Sequence, residues 1–326
     1  QMCIRDSFRI FNIRKGRKKP GLMPQHLTAV RVMQLISSAK VRGDEAGSTE
    51  LYFEPQDVRP GEIFYDIGTA GSTMLVLQTA LPCLIFSDKK SLVILKGGTH
   101  VPMSPSYHYI ERVFCRFLKK MGMTLRLSIE RYGFYPEGGG HIRAEIEPVT
   151  EIKPLHMIKP GSPLRIEGLS AVANLPMSIA QRQKEAFLKE ISSLQVPVEI
   201  EALSVRSSGA GTFLFAEIIS EDSVAGFCSL GEKGKRAESV GMEVAMDLLK
   251  HLQTAKALDP HMADQIVLYL SLTDKESEFT TSEITEHLLT NLWVLRHFIE
   301  LEYSIKGHRG EPGHIKIKGK NIRGCY

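Results

Sequence analysis

The sequence predicts a mixed α/β fold (α+β in class), with repeated βαβαββ-type units forming a large domain and a smaller α/β domain inserted into it. Short β-rich runs alternate with helical periodicity along almost the whole chain. Two successive blocks, roughly 8–70 and 71–148, carry helix and strand in similar order, and a third block runs from Asp259 to the end. Between them, residues 162–256 hold strands and helices of their own and break the recurrence. The expected division is therefore 8–161 plus 257–326 for the large, discontinuous domain and 162–256 for the insert.

Taken in order, Phe8–Ile13 reads as a strand and Arg14 to Pro20 as a basic loop. Residues 25–39 place Leu27, Val30, Met33 and Ile36 close to helical spacing. Leu51–Phe53 and Ile63–Ile67 are strands bracketed by Pro and Gly. An apolar helix is expected from Thr73 to Leu81, stopped by Pro82. A strand follows at Leu92–Leu95, then an amphipathic helix at Tyr109–Met121 with a basic last turn. Leu125–Ile129 and His141–Ile146 flank the turn Gly138-Gly139-Gly140. Within the insert, strands are expected at Leu164–Ile166, Val198–Leu203 and Thr212–Ile219, with helices over 178–193 and 236–253. The last block reads as helix 262–272, strand Glu278–Thr281, helix 286–300 and strands Tyr303–Lys306 and His314–Lys318.

Of the 326 residues, 43% are hydrophobic and 24% charged, an ordinary globular balance that argues against disorder. A net charge of +4 suits a polyanionic partner without requiring one. Five cysteines, Cys3, Cys83, Cys115, Cys228 and Cys325, form no CxxC pair. They read as reduced thiols without a zinc site. No apolar run reaches the roughly 18 residues of a membrane span, so a cytoplasmic protein is expected. Residues 1–7 match neither a signal nor a transit peptide and read as a non-native lead-in.

Five segments carry chemistry. Arg14, Lys15, Arg17, Lys18 and Lys19 crowd the loop ahead of Gln25-His26, a setting for phosphate or for a merely solvated basic loop. Gly68-Thr69-Ala70-Gly71-Ser72-Thr73 runs into the helix bearing Gln78; its small residues admit an anion, yet no Gly-Lys-Ser/Thr makes it a Walker A loop. Tyr132 to Gly140 ends in three glycines, permitting either close approach of a partner or a tight hairpin turn. Asp259 opens a helix that it can cap, and Thr285-Glu286-His287 opens another. Taken alone, each histidine is more simply structural than catalytic.

Together, in order, these segments resemble the RNA 3'-terminal phosphate cyclase family. The resemblance is carried by Arg14 to Leu27, by Ala70-Gly71-Ser72 with Leu77-Gln78-Thr79 and Leu81-Pro82, and by Lys96-Gly97-Gly98-Thr99. Gly133-Phe134-Tyr135-Pro136 with Gly138-Gly139-Gly140, Ala263-Asp264-Gln265 and His287-Leu288-Leu289-Thr290-Asn291 complete it. It implies ATP-dependent conversion of an RNA 3'-phosphate end to a 2',3'-cyclic phosphate through histidine–AMP and RNA-adenylate intermediates. It makes His287 the nucleophile. Imidazole is substantially neutral at pH 7, and the positive end of a helix dipole disfavours imidazolium while favouring an incoming phosphate. It places Gln78, His261, Met262, Ala263, Asp264 and Gln265 at the ATP site, with Asp264 and Gln265 as direct contacts. Arg14, Arg17, Gln25 and His26 would hold the phosphates of the RNA end or of ATP. Mg²⁺ or Mn²⁺ is expected to arrive with ATP, no dedicated metal cage being visible.

Two departures from the family pattern stand out. Its opening strand and acidic triple-glycine loop are not in the chain, from which reduced or absent turnover is expected. Tyr132 stands where the family carries histidine or arginine. Two alternatives stay open at this point, a non-catalytic cyclase-like ribosome-assembly factor that binds RNA and a transferase of the enolpyruvyl type. The oligomeric state also stays open, a homodimer being one option.

Overall fold

The computed structural model describes residues 7–321. Residues 1–6 of the expected lead-in, with Cys3 and Cys325, lie outside the described residues. The described residues form a mixed α/β fold, built from four separate sheets and the helices between them. Residues 7–105 and 123–150 form one compact unit, and 106–122 with 151–321 form a second.

The first unit opens with β1 (Phe8–Phe11), α1 (Pro24–Ser37), β2 (Lys40–Arg42) and β3 (Glu50–Glu54). The strands pair antiparallel in the order β1-β3-β2. The spacing that predicts α1 is the spacing that buries it: Leu27 joins Leu22 and Leu51 in a small core, with Ile13, Val30 and Val41 packed against them. The basic loop falls between β1 and α1.

A second sheet follows. It consists of β4 (Glu62–Asp66), β5 (Ser91–Gly97), β6 (Leu125–Arg131) and β7 (Gly140–Ile146), in the order β4-β5-β7-β6. β4 and β5 run parallel, joined through α2 (Thr73–Leu84), while β7 pairs antiparallel with both β5 and β6. Strict alternation of buried and half-buried residues along β5 gives the sheet one core face. The expected stop of α2 at Pro82 is corrected: the helix continues through Leu84. Proline costs it one hydrogen bond, but Leu81, Leu84 and Ile85 are fully buried and hold the last turn in place.

Between β5 and β6 the chain passes through α3 (Tyr107–Tyr109), a π-helical turn (Ile110–Phe114) and α4 (Cys115–Lys120), all in the second unit. The run β4–α2–β5–helix–β6–β7 is thus one complete βαβαββ repeat.

The second unit holds two sheets. The first is β9 (Pro163–Ala173), β10 (Val198–Ser204), β11 (Gly211–Ser220) and β12 (Val224–Leu230), ordered β10-β9-β11-β12. Its helices are α5 (Met177–Glu190) and α6 (Ala237–Thr254). β11 is covered on both faces, its residues being buried without a break from Thr212 to Ser220. Leu214, Ala216 and Ile218 pack with Phe187, Val244 and Leu248 of the two helices, and Phe213 and Phe215 meet the His108 ring. On that second face the Glu217 carboxylate, almost completely enclosed, stands 3.5 Å from Arg112 and 3.4 Å from Arg116.

The second sheet brings together β8 (His156–Met157), β13 (Ser277–Thr281), β14 (Glu302–Lys306) and β15 (Gly313–Lys318) in the order β14-β15-β13-β8. With α7 (Pro260–Leu270) and α8 (Glu286–Leu295), it repeats the βαβαββ pattern of β4 to β7. The order β8-β13-β15-β14 matches β4-β5-β7-β6 strand for strand, including the one parallel pair, β8 with β13. Within this repeat, β9 to α6 lie in the chain between β8 and α7. The helix expected over 286–300 ends at Leu295.

Candidate active site

Each unit carries part of the residue set singled out from the sequence. In the first unit, Gln25 links the first turn of α1 to the glycine loop before α2. Its Oε1 accepts from the Ser72 N–H at 2.8 Å and its Nε2 donates to the Ser72 carbonyl at 3.4 Å. Ser72 in turn caps α2, accepting from Leu75 N–H at 3.2 Å. The other two glycine segments converge there by backbone contact. Gly98 N–H donates to the Gly71 carbonyl at 2.8 Å, and Thr99 N–H to the Gly133 carbonyl at 2.9 Å. A Cβ on Gly138 would stand 2.7 Å from the Thr69 carbonyl oxygen, so no side chain is tolerated there. Three motifs far apart in sequence therefore form one cluster of loops.

The cations of that unit differ in what they are free to do. Arg14 has a positive φ of 54° and turns its guanidinium back on its own loop, donating to the Lys19 carbonyl at 2.7 Å and the Gly21 carbonyl at 3.3 Å. It holds the loop in shape. Arg17 is exposed. His26 accepts from the Met23 N–H through Nδ1 at 3.1 Å, and burial followed by the Arg14 charge lowers its pKa. The side chain is thus kept as a neutral acceptor at the start of α1. Gln78 lies half-buried on α2.

In the second unit, α7 and α8 present their N-termini with side-chain caps. Asp259 accepts from Met262 N–H at 2.9 Å and from the Tyr109 hydroxyl at 2.8 Å. Thr285 caps α8, accepting from Leu288 N–H at 2.9 Å. The same Thr285 hydroxyl donates to Asp264 Oδ1. Asn291 Nδ2 donates to the backbone carbonyl of Asp264 at 2.8 Å. One residue of α7 therefore receives α8 at two points, and His287 stands between them in the chain. His287 is exposed in the first turn of α8. His261 is exposed in the first turn of α7, edge-on to Tyr109 at 6.2 Å between ring centres.

Burial raises the Asp264 carboxyl to about 6; the Thr285 hydrogen bond and the nearby His261 and His287 oppose that rise, and Asp259 adds to it. Met262 and Ala263 are fully buried, so their side chains belong to the packing of α7. Of the other residues singled out on this helix, His261 is exposed, Gln265 half-buried and Asp264 7% exposed. Among the described residues, no group of three or more His, Cys, Asp or Glu side chains is arranged to hold a metal ion. No described helix is long and apolar enough to cross a membrane.

The family model for RNA 3'-terminal phosphate cyclase matches residues 2–305. The chain belongs to the RNA 3'-terminal phosphate cyclase family. Its relatives of that name include one from Sulfolobus acidocaldarius, 45% identical over 306 residues, which span 92% of this chain and 89% of the relative. Another, from Pyrobaculum aerophilum, is 40% identical over 314 residues, 95% of this chain and 89% of its own length. A third, from Saccharolobus solfataricus, is 42% identical over 317 residues, covering 95% and 91%. A solved EPSP synthase from Acinetobacter baumannii overlaps 96% of this chain and 59% of its own at 10% identity, with a TM-score of 0.27, too low to show a shared fold.

Within this cyclase-family chain, the bonds of Thr285 and Asn291 to Asp264 were not legible in the sequence. Thr285 carried a signal, being a threonine directly before an apolar helix, the usual place of a cap. Its second bond, to Asp264 21 residues earlier, depends on how α7 packs on α8 and leaves no trace in spacing. The enclosed Glu217 likewise answers to arginines more than a hundred residues away in the chain.

Proposed function

We propose that this chain uses ATP to convert an RNA 3'-phosphate end to a 2',3'-cyclic phosphate, with His287 as the group that carries AMP. The observation that carries the reading is the setting of His287. It is an exposed imidazole in the first turn of a side-chain-capped helix, within a family-wide match. Backbone N–H groups and the helix dipole at such a terminus favour the phosphates of an incoming nucleotide.

In the first step an imidazole nitrogen of His287 attacks the α-phosphorus of ATP. The bond to the β-phosphate oxygen breaks, pyrophosphate leaves with the electron pair, and the imidazole gives up its proton. In the second, an oxygen of the RNA 3'-phosphate attacks the same phosphorus and the phosphorus–nitrogen bond breaks. In the third, the neighbouring 2'-hydroxyl attacks the terminal RNA phosphorus, loses its proton, and AMP departs.

On this reading His261, Asp264 and Gln265 meet the nucleotide, as does Gln78. Arg17 is the arginine of the basic loop that would meet a phosphate, being exposed where Arg14 is engaged with loop carbonyls. Gln25 holds the glycine loop at Ser72, and His26 accepts from Met23 N–H at the start of α1. Positioning and charge neutralisation are the main levers in such transfers. Mg²⁺ or Mn²⁺ enters bound to the triphosphate, and the protein acts in the cytoplasm.

The test is an end-labelled RNA with a 3'-phosphate incubated with ATP and the divalent ion. The expected result is a phosphatase-resistant end that forms only with ATP and is lost in His287→Ala. Equal cyclisation by the variant contradicts the assignment. The non-catalytic, RNA-binding reading expects no cyclisation from either protein.

A further inference from the structure

We infer that Thr285 and Asn291 are positioning residues of the nucleophile: by fastening both sides of the His287 segment to Asp264 they fix where the imidazole stands. This inference deepens the proposed function and rests on it for the identity of the nucleophile.

The geometry is specific to this helix pair. Thr285 Oγ1 makes two bonds of opposite sense, accepting from Leu288 N–H at 2.9 Å and donating to Asp264 Oδ1. A capping hydroxyl needs only the first. Asn291, six residues on, makes a further bond of 2.8 Å to the same residue's carbonyl. Asn291 follows His287 by four residues, so both lie on one face of α8, the face that Asn291 turns to α7. Asp264 is suited to receive them. It is 7% exposed, and a carboxylate so enclosed needs donors. Leu288 and Leu292 of α8 are fully buried. Apolar packing therefore seats the helix, but it is indifferent to small rotations or slides. The two polar bonds are directional and remove that freedom.

The consequence falls on the chemistry. Attack on the α-phosphorus needs the imidazole nitrogen in line with the departing pyrophosphate, and misplacement by about 1 Å can cost ~100-fold in rate. Thr285→Val keeps the shape of the side chain and removes both bonds of the hydroxyl. Thr285→Ser keeps both. Asn291→Ala removes the second fastening at an exposed helical position where alanine is well tolerated.

The experiment measures single-turnover transfer of label from α-labelled ATP to the full chain, across ATP concentrations, with thermal unfolding as a control. Thr285→Val is expected to slow adduct formation at saturating ATP by about 10- to 100-fold, and Asn291→Ala by about 10-fold. The half-saturating ATP concentration should change little, and Thr285→Ser should recover most of the rate. If Thr285→Val does not fold, Asn291→Ala carries the test alone. A full rate at saturating ATP in Asn291→Ala or Thr285→Val overturns the inference, as does a loss cured by more ATP, which would make these residues nucleotide contacts.

Amide hydrogen exchange in the first turn of α8 provides a readout independent of turnover. It should speed in Thr285→Val and stay slow in Thr285→Ser. Unchanged exchange in Thr285→Val refutes the fastening. Faster exchange in Thr285→Val together with no label on the wild-type chain would uphold the fastening and sink the assignment of His287.

Discussion

Glu217 lies in the sheet of β9 to β12 with its side chain enclosed, facing Arg112 and Arg116 from the helical segment packed on it. Burial pushes its carboxyl up to about 7, with Arg116 and Arg112 opposing and the neighbouring Glu167 and Glu111 adding to the rise. A carboxyl whose pKa is higher folded than unfolded binds its proton more tightly in the native state. Its contribution to stability is therefore fully present at pH below the ordinary glutamate range and is lost as pH rises towards 7. Glu217→Gln removes the titration while keeping the shape. The stability of the variant relative to wild type is expected to rise by about 2–3 kcal/mol between pH 5 and pH 8, measured by denaturant unfolding at each pH. A difference independent of pH would show that Glu217 is ionised throughout. The same physics acts on the three half-buried thiols. Burial raises Cys83 to about 11 and Cys115 and Cys228 to about 12. Mass-mapped alkylation of these three at pH 7.5 should be negligible until the protein is unfolded.

Among the elements, α5 and α6 approach so closely at Gly241 that a Cβ there would stand 2.1 Å from the Gln183 carbonyl oxygen. The obstacle is backbone, which cannot step aside. Gly241→Ala should cost about 1–3 kcal/mol in a denaturant melt, although alanine is the better helix former. Asp259 joins two elements by capping α7 and accepting from Tyr109. Asp259→Ala should cost about 2–4 kcal/mol by the same measurement, since it leaves both a helix end and a buried hydroxyl without a partner. The elements most legible in the sequence were those with one buried face. The stripe Leu27, Val30, Met33 and Ile36 announced α1, and its ends fell within two residues of expectation. β2 and β8 escaped because two or three residues carry no periodicity. β12 escaped because Val224 to Phe227 are all buried and show no alternation. The basic loop was legible as a cluster of charge, but not in its division of labour. That Arg14 faces inward and Arg17 outward depends on a left-handed backbone turn at Arg14 that spacing does not encode.

For the whole molecule, the recurrence visible in the order of helices and strands is borne out by the matching strand orders of the β4–β7 and β8–β15 repeats. The repeat is a scaffold, and the family's motifs fall mostly where its strands give way to loops and helix starts. Such positions expose backbone N–H groups, which is why anion chemistry can be placed there without disturbing a core. The family was legible because the motifs come in order over most of the chain. The partners of Asp264 were not, because they arise only when α7 and α8 pack. The central claim is that His287 carries AMP. The most direct test is to incubate the full chain with α-labelled ATP and divalent ion, digest it, and map the label by mass spectrometry under conditions that preserve phosphoramidates. One acid-labile AMP adduct is expected, on the peptide containing His287, and none in His287→Ala. An adduct on another residue, or equal labelling of the variant, would contradict it.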